Sequence, residues 1–244
     1  MNNAVSSHKG RALVDQYDIS PFITKVTPQP SQEMSDCTTL ADDSRSYQPS
    51  LKGGTLSMEG LFRSNEIVGA SLDDIFGVLP TDALNFTGFP NGRAAGKPAY
   101  LMLANTTRYQ LDTMAGDLVK CTIAASSKLW ALERGVSLHD LVAETGTANG
   151  TSVDNLVSTN NGGVAHLHVT AIAGAAPSVT IKIQASANGS TWSDLQTFTV
   201  VTAATKQRIE IAAGTLINRF LRVVHTFGGT TTSITFNLSF ARRF

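Results

Sequence analysis

Residues 178–201 read SVTIKIQASANGSTWSDLQTFTVV. Two runs of strand-forming residues, 178–186 and 195–201, flank the turn signal Asn188-Gly189-Ser190, which marks a hairpin. No helical period runs through the stretch, so the fold class is set here as β. Trp192 stands just past the turn, with Asn188, Ser190, Ser193 and Asp194 beside it. Trp192, Asn188 and Asp194 therefore form a candidate glycan platform, because an exposed ring flanked by hydrogen-bonding groups is what a sugar needs. A tryptophan after a turn also closes the apolar edge of its own hairpin, and that packing role is the expectation here.

Outward from this hairpin the same texture continues. Strands are expected at 164–172, 178–186, 195–201, 207–213, 219–227 and 233–241, with turn residues in each gap, which together read as a β-sandwich. Upstream, residues 142–163 are small and polar, so the domain boundary is placed at 143–163, between a first domain, 1–142, and a second, 164–244, that can begin as early as 145.

The first domain is more broken. Residues 1–9 are polar and read as a mobile arm; 11–19 read as a strand stopped by Pro21, and 22–26 as another ended by Pro28 and Pro30. Residues 28–53 hold three prolines and little period, and read as a long loop, a feature that in compact domains is functional or ordered by a partner. Residues 54–62, GTLSMEGLF, alternate strictly: Leu56, Met58 and Phe62 fall on one face and Thr55, Ser57 and Glu59 on the other. Ser71 precedes Asp74 by the three residues of a capping box, which predicts a short helix over 72–79 closed by Pro80. Residues 81–98 read as a loop; strands follow at 99–105, 108–114 and 117–126, while 128–135 is ambiguous between strand and helix.

Composition narrows the function. At 16% charged residues the chain is poorly charged for a free monomer, and suits a surface covered by copies of itself. The net charge is +0, which gives no basic field for holding nucleic acid; residues 1–142 carry 12 Lys and Arg against 15 Asp and Glu, and the remainder 7 against 4. Cys37 and Cys121 are too few for a disulfide scaffold and read as reduced thiols. No signal-peptide pattern is seen and no apolar run nears the ~20 residues of a membrane span, so no membrane partner and cytoplasmic synthesis are expected.

No catalytic constellation emerges. His166 and His168, two apart on a strand, share a face and would hold a metal if an acid joined them, but with only four acids in the second half they read as a solvent-facing polar pair. His139-Asp140 reads as an isolated pair in a turn, Asp42-Asp43 as solvated loop and Asp73-Asp74 as helix capping. The serine nucleophile elbow, the phosphate loop and the dinucleotide fingerprint are all missing from the sequence. The expectation is a protein without enzymatic activity, cofactor or metal.

Taken in order, GRALVDQYDISPFITKV, the proline-rich stretch, LKGGTLSMEGLF, SLDDIFG, AYLMLAN and RYQLDTM, followed by SVDNLVSTNNGGVAHLHVTAI, VTIKIQASANGSTWSDLQTF and INRFLRVV, the chain resembles the two-domain major tail (tail tube) proteins of long-tailed bacteriophages, the siphophages. The resemblance rests on element order over nearly the whole chain, with no chemically diagnostic motif. It implies a mainly β protein: an N-terminal β-sandwich or barrel of antiparallel sheets with a short flanking helix, plus a C-terminal decorating β-sandwich. It implies homo-oligomeric rings, usually hexamers, stacked into a virion tail tube and assembled in the host bacterial cytoplasm. The implied partners are further copies of the chain, a tape measure protein, tail tip and terminator proteins, and double-stranded DNA in transit without sequence-specific contact. Thr55, Ser57 and Glu59, with Asp112 and Asp117, are then candidate lumen-lining residues. Two other readings of the residues stay open: a carbohydrate-binding or adhesion protein, and a capsid decoration or tail tip protein.

Overall fold

A computed structural model of the chain describes residues 9–62, 71–129 and 131–243. Its elements are β1 (Arg11–Val14), β2 (Tyr17–Asp18), β3 (Ile23–Asp36), β4 (Tyr47–Leu61), α1 (Leu72–Phe76), β5 (Leu84–Phe89), β6 (Pro98–Asp112) and β7 (Lys120–Ser127). These are followed by β8 (Glu133–Glu144), β9 (Ala148–Asn149), β10 (Val153–Asp154), β11 (Gly163–Ser186), β12 (Ser193–Thr197), β13 (Thr205–Ile211) and β14 (Phe220–Arg242). The protein is mainly β, with antiparallel pairing between its strands, as the sequence indicates. The expected arm at 1–9 lies, but for Lys9, outside the described residues.

Two compact units divide the chain. The larger holds 1–21, 85–101 and 133–244; the smaller holds 22–84 and 102–132. The expected cut at 143–163 is not where they part. β1, β5 and β8 belong with β11 and β14, because β8 pairs with β14 and β1 pairs with β5 beneath the same core. The polar stretch at 143–163 is itself drawn into this unit, where β9 and β10 both pair with β14.

In the larger unit β11 and β14 pair from Gly163↔Arg242 to Ser186↔Phe220. The sequence signals that suggest two strands in each are bends instead: the register shifts at Val169/Ala171, Ala173/Gly174 and Gly174/Pro177, and Gly174 sits at φ 143. A bulge absorbs the extra residues and turns the strand without reversing it. Each long strand thus runs through both halves of one sheet, and Leu167, Val169, Ile181, Ile183, Val223, Phe236 and Leu238 share one core. The opposite face of the 163–169 segment is covered as well, with Val164 and Ala241 packing on Leu13, Phe89, Ala99 and Leu101. Burial on both faces explains why β5 reads as a loop in the sequence: all six of its residues are buried, so no alternation survives to mark it.

That second buried face changes the reading of the histidines. His166 and His168 do share a face, but they are 1% and 0% exposed, not solvent-facing. The Thr87 hydroxyl bridges them, 3.2 Å from His166 Nδ1 and 2.8 Å from His168 Nε2, while His168 Nδ1 donates to the Asp15 carbonyl at 2.5 Å. His139 and Asp140 lie within β8 and not in a turn.

The smaller unit is a sheet in the order β3–β4–β7–β6 backed by α1. Its long β3–β4 pairing corrects the expected loop at 28–53. Pro28 and Pro30 are two apart, so both missing N–H groups fall on the same side of β3, and the ladder with β4 runs on unbroken opposite Leu56 and Gly54. Proline ends a central strand but is tolerated on an edge. The face under the sheet is apolar: Leu56, Met58, Cys121 and Ile123 are buried, and a side chain at Gly60 would meet the Phe22 carbonyl at 2.6 Å and Leu72 Cδ1 at 2.9 Å. Phe62 follows the end of β4, where its N–H donates to the Val119 carbonyl.

Helix α1 begins as its sequence predicts. Asp74 N–H donates to Ser71 Oγ at 3.2 Å, and Ser71 N–H donates to Asp74 Oδ2 at 3.2 Å, closing the capping box. The helix is shorter than expected and ends at Phe76, with Leu79 at φ 45 just beyond. Ser71→Ala is expected to cost about 1 kcal/mol of stability, read as a lower denaturant midpoint at unchanged slope.

Candidate functional site

The open face of the smaller unit's sheet gathers most of the residues singled out from sequence. Thr55, Ser57 and Glu59 point away from the buried Leu56 and Met58, as their alternation required. Directly opposite residues in antiparallel strands share a face, so the register assembles three polar ranks. Lys25, Glu59, Thr122 and Gln110 form the first; Thr27, Ser57, Ala124 and Arg108 the second; Gln29, Thr55, Ser126 and Asn105 the third. Asp112 is opposite Lys120 at one end, and Asp117 is in the turn that follows.

Sequence alone missed the β6 and β7 residues of these ranks, and also those of β3. Its prolines read as stops, which cut the polar alternation of Lys25, Thr27 and Gln29 short before it can register.

The charges on this face are matched. Lys25 Nζ lies 2.8 Å from Glu59 Oε1, and Lys120 Nζ lies 2.9 Å from Asp117 Oδ2. Arg108 contacts Gln110, whose amide donates to Asp112 Oδ1 at 2.7 Å. The hydrogen bond from Lys120 holds the Asp117 carboxyl below the usual range, with the Leu118 N–H helping. Such exposed pairs add little stability. Their effect is to leave the named cations of the face already engaged by acceptors.

From one end of this sheet the β3–β4 ribbon extends as an arm. Every residue from 29 to 52 is exposed, among them the apolar Met34, Leu40, Tyr47 and Leu51. At its tip Cys37 N–H donates to the Ser46 carbonyl, and Thr39 N–H donates to Asp42 Oδ2 at 2.7 Å, so Asp42 ties the turn together where a solvated loop was expected. The β6–β7 turn, at the opposite end of the sheet, also exposes Leu111, Met114 and Leu118. Cys37 is exposed and Cys121 buried, and both are free.

The other candidate residues lie in the larger unit. Trp192 is half-buried but not in the core, which corrects the expected packing role. It sits on the outer side of β11 and β14, where the Arg222 guanidinium stacks over its ring at 4.3 Å. Gln184 accepts from both Arg222 Nε and Nη2 and donates to Asp194 Oδ1, while Asp194 Oδ2 pairs with Lys182 at 2.7 Å. Asn188 is spent on the turn, its Oδ1 accepting the N–H groups of Ser190 and Thr191 at 2.9 Å each. Asn188 therefore has no spare acceptor for a sugar, and one face of the Trp192 ring is taken by arginine.

No protein-family model matches the chain, and no curated protein does. Among solved structures the chain is similar to a component of the virion of a native gene transfer agent particle, at 13% identity and a TM-score of 0.39 over 53% of this chain and 98% of the other. It is similar to the SPP1 Dit protein, described as a paradigm of the hub adsorption apparatus in phages that infect Gram-positive bacteria, at 12% and 0.38 over 96% and 99%. It is also similar to a component of the anti-feeding prophage baseplate, at 13% and 0.40 over 55% and 97%.

Proposed function

We propose that this chain is a structural protein of a phage tail that closes into homo-oligomeric rings, stacked as a tail tube through which DNA is delivered. The observation that carries the reading is the arm at 29–52, exposed on both faces. An isolated two-stranded ribbon is marginal in water, and one that displays Met34, Leu40, Tyr47 and Leu51 gains its burial from another molecule. A second copy supplies that surface at the concentration of the chain itself. Edge strands that would otherwise aggregate are satisfied when a ring closes by symmetry.

The polar face of Thr55, Ser57 and Glu59, continued by Asp112 and Asp117, is then the lumen wall. DNA is held by lysines and arginines that release counterions from its phosphates. On this face Lys25 and Lys120 are already paired with carboxylates, which favours passage over retention. In this reading the sandwich built on β11 and β14 decorates the assembly, tape measure and tip proteins are its further partners, and no catalytic step is required.

Negative-stain electron microscopy of the concentrated full-length protein tests this. Stacked rings or hollow tubes are expected, and Met34→Asp combined with Leu51→Asp should keep the melting temperature while reducing association at least tenfold. Particles that stay monomeric at every concentration would overturn the reading. Discrete rings that never stack would replace the tube with a tail tip or hub.

A further inference from the structure

We propose that the arm docks on a second copy of this chain by its underside, through Pro30, Met34, Tyr47 and Pro49, while its other side extends the open face that carries Thr55, Ser57 and Glu59. This deepens the ring reading above and rests on it. Strand parity decides which side is which. Directly opposite residues share a face, and every second residue along a strand returns to it. In β4, Leu56 and Met58 are buried beneath the sheet. Val26 is opposite Met58, Pro28 opposite Leu56 and Pro30 opposite Gly54, so the even-numbered residues of β3 lie on the underside.

That phase carries into the arm. The register shifts between Gln32↔Lys52 and Met34↔Pro49, but the extra residue falls on β4, at 50–51, and β3 keeps its alternation. Past the shift Met34 with Pro49, and then Asp36 with Tyr47, stand on the underside, while Ser35 with Gln48 stands on the open face. The two sides of the arm therefore differ in kind. Gln29, Ser31, Glu33, Ser35 and Gln48 make one side wholly polar. The underside is apolar at Pro30, Met34, Tyr47 and Pro49, with Gln32, Asp36 and Lys52 beside them. Cover from the chain itself reaches Gly54, where a side chain would meet the Leu132 backbone nitrogen at 3.0 Å and Met102 Sδ at 3.6 Å. From there outward every residue of 29–52 is exposed. The arm is the sheet continued without the layer that packs beneath it.

A second copy supplies that layer. The arm offers about two dozen exposed residues, within the ~20–30 a side that a stable interface takes. The same sheet carries matching apolar surface at its far end, where Leu111, Met114 and Leu118 of the β6–β7 turn are 42%, 74% and 66% exposed. With donor and receiver at opposite ends, the contact is head to tail and repeats from copy to copy, whereas arm against arm would stop at two. Docking by the underside leaves the polar side of the arm uncovered, so Glu33, Ser35 and Gln48 lengthen the polar wall past the end of the sheet.

Neighbouring positions on opposite sides provide the test. Met34→Glu and Ser35→Glu add the same charge one residue apart, as do Tyr47→Glu and Gln48→Glu. All four side chains are exposed, so the fold is kept and the melting temperature checks it. Sedimentation of the full-length protein over a range of concentrations is expected to show association weakened about tenfold or more by Met34→Glu and Tyr47→Glu, and less than about twofold by the other two. Peroxide oxidation of Met34 and Met114, read by mass spectrometry, should slow about fivefold in assembled wild type relative to dissociated protein. If the wild type assembles but the two sides lose association equally, or either methionine oxidises at its dissociated rate, the docking side or its receiver is wrong while the ring stands. A wild type that never associates overturns the ring and this contact together.

Discussion

Arg242→Ala is expected to destabilise the larger unit by about 3 kcal/mol, well beyond the loss expected from removing the Ser71 cap. Arg242 is 8% exposed. Its guanidinium fork donates to the carbonyls of Val157 and Ile217 through Nη1, at 2.8 and 3.2 Å, and to those of Asn218 and Arg219 through Nη2. Burial pulls its pKa down to about 10, so the cation is held in spite of desolvation, by carbonyl dipoles and not by a carboxylate. Hydrogen bonds to a charged donor contribute about 1.5–3 kcal/mol each, and the relief of a buried charge offsets part of their loss. Two segments, 157–159 and 217–219, are pinned through this one side chain, and Ile217 in the second is a core residue. Arg242→Lys should recover only part of the loss, because an ammonium cannot reach four carbonyls in one plane. Urea titration with an unchanged slope reads the effect, and a loss below about 1 kcal/mol would refute the clamp.

Acid should act nearly as strongly. Burial lowers the pKa of His168 to about 4, opposed by its bond to the Asp15 carbonyl and assisted by Lys206. His166 is lowered as well, by burial first and then by the charges of His168 and Arg208. The sign follows from proton counting. Between an ordinary value near 6.5 and the folded value, the unfolded chain binds protons that the folded chain refuses, so stability falls as pH falls. For His168 alone the loss between pH 6.5 and 4 is about 3 kcal/mol. Asp15 works the other way: burial raises its carboxyl, against its bonds to Lys206 and Asn85, so protonating it favours the folded state. The net expectation is a denaturant midpoint that drops steeply below pH 6.5. His168→Gln, which keeps a donor and an acceptor, should flatten that drop even if it lowers stability at pH 7. A wild-type midpoint constant from pH 7 to 4.5 would show that the histidines are not held neutral.

How much of this is legible in the sequence depends on which faces are buried. β4 is buried on one side only, and its alternation reveals the strand, its register of polar and apolar residues, and three of the candidate lumen positions. The capping box of Ser71 and Asp74 is local, and it locates the helix start correctly. β5 and the 163–169 part of β11 are buried on both sides, where period two disappears. There one strand goes unseen, and the histidine pair of the other looks solvent-facing. Turn residues mislead in a different way. Gly174 with Pro177 looks like a reversal and is a bulge, and Pro28 with Pro30 looks like a stop and is an edge. Local chemistry limits what a residue can tolerate, while tertiary pairing decides which of its tolerated states is used. The approach of His225 to Glu144, at 3.7 Å, could not be anticipated, because it is set by strand register and not by spacing along the chain.

The long pairing of β11 with β14 has a mechanical consequence. A hairpin pulled open from one end gives way a rung at a time, but two strands drawn past each other along their length load every rung together. Because each of these strands runs on through its bulges from one half of the unit to the other, tension in one half is passed to the other through continuous backbone instead of through side-chain contacts. Pulled along these strands, the larger unit is therefore expected to yield by shear and not by unzipping.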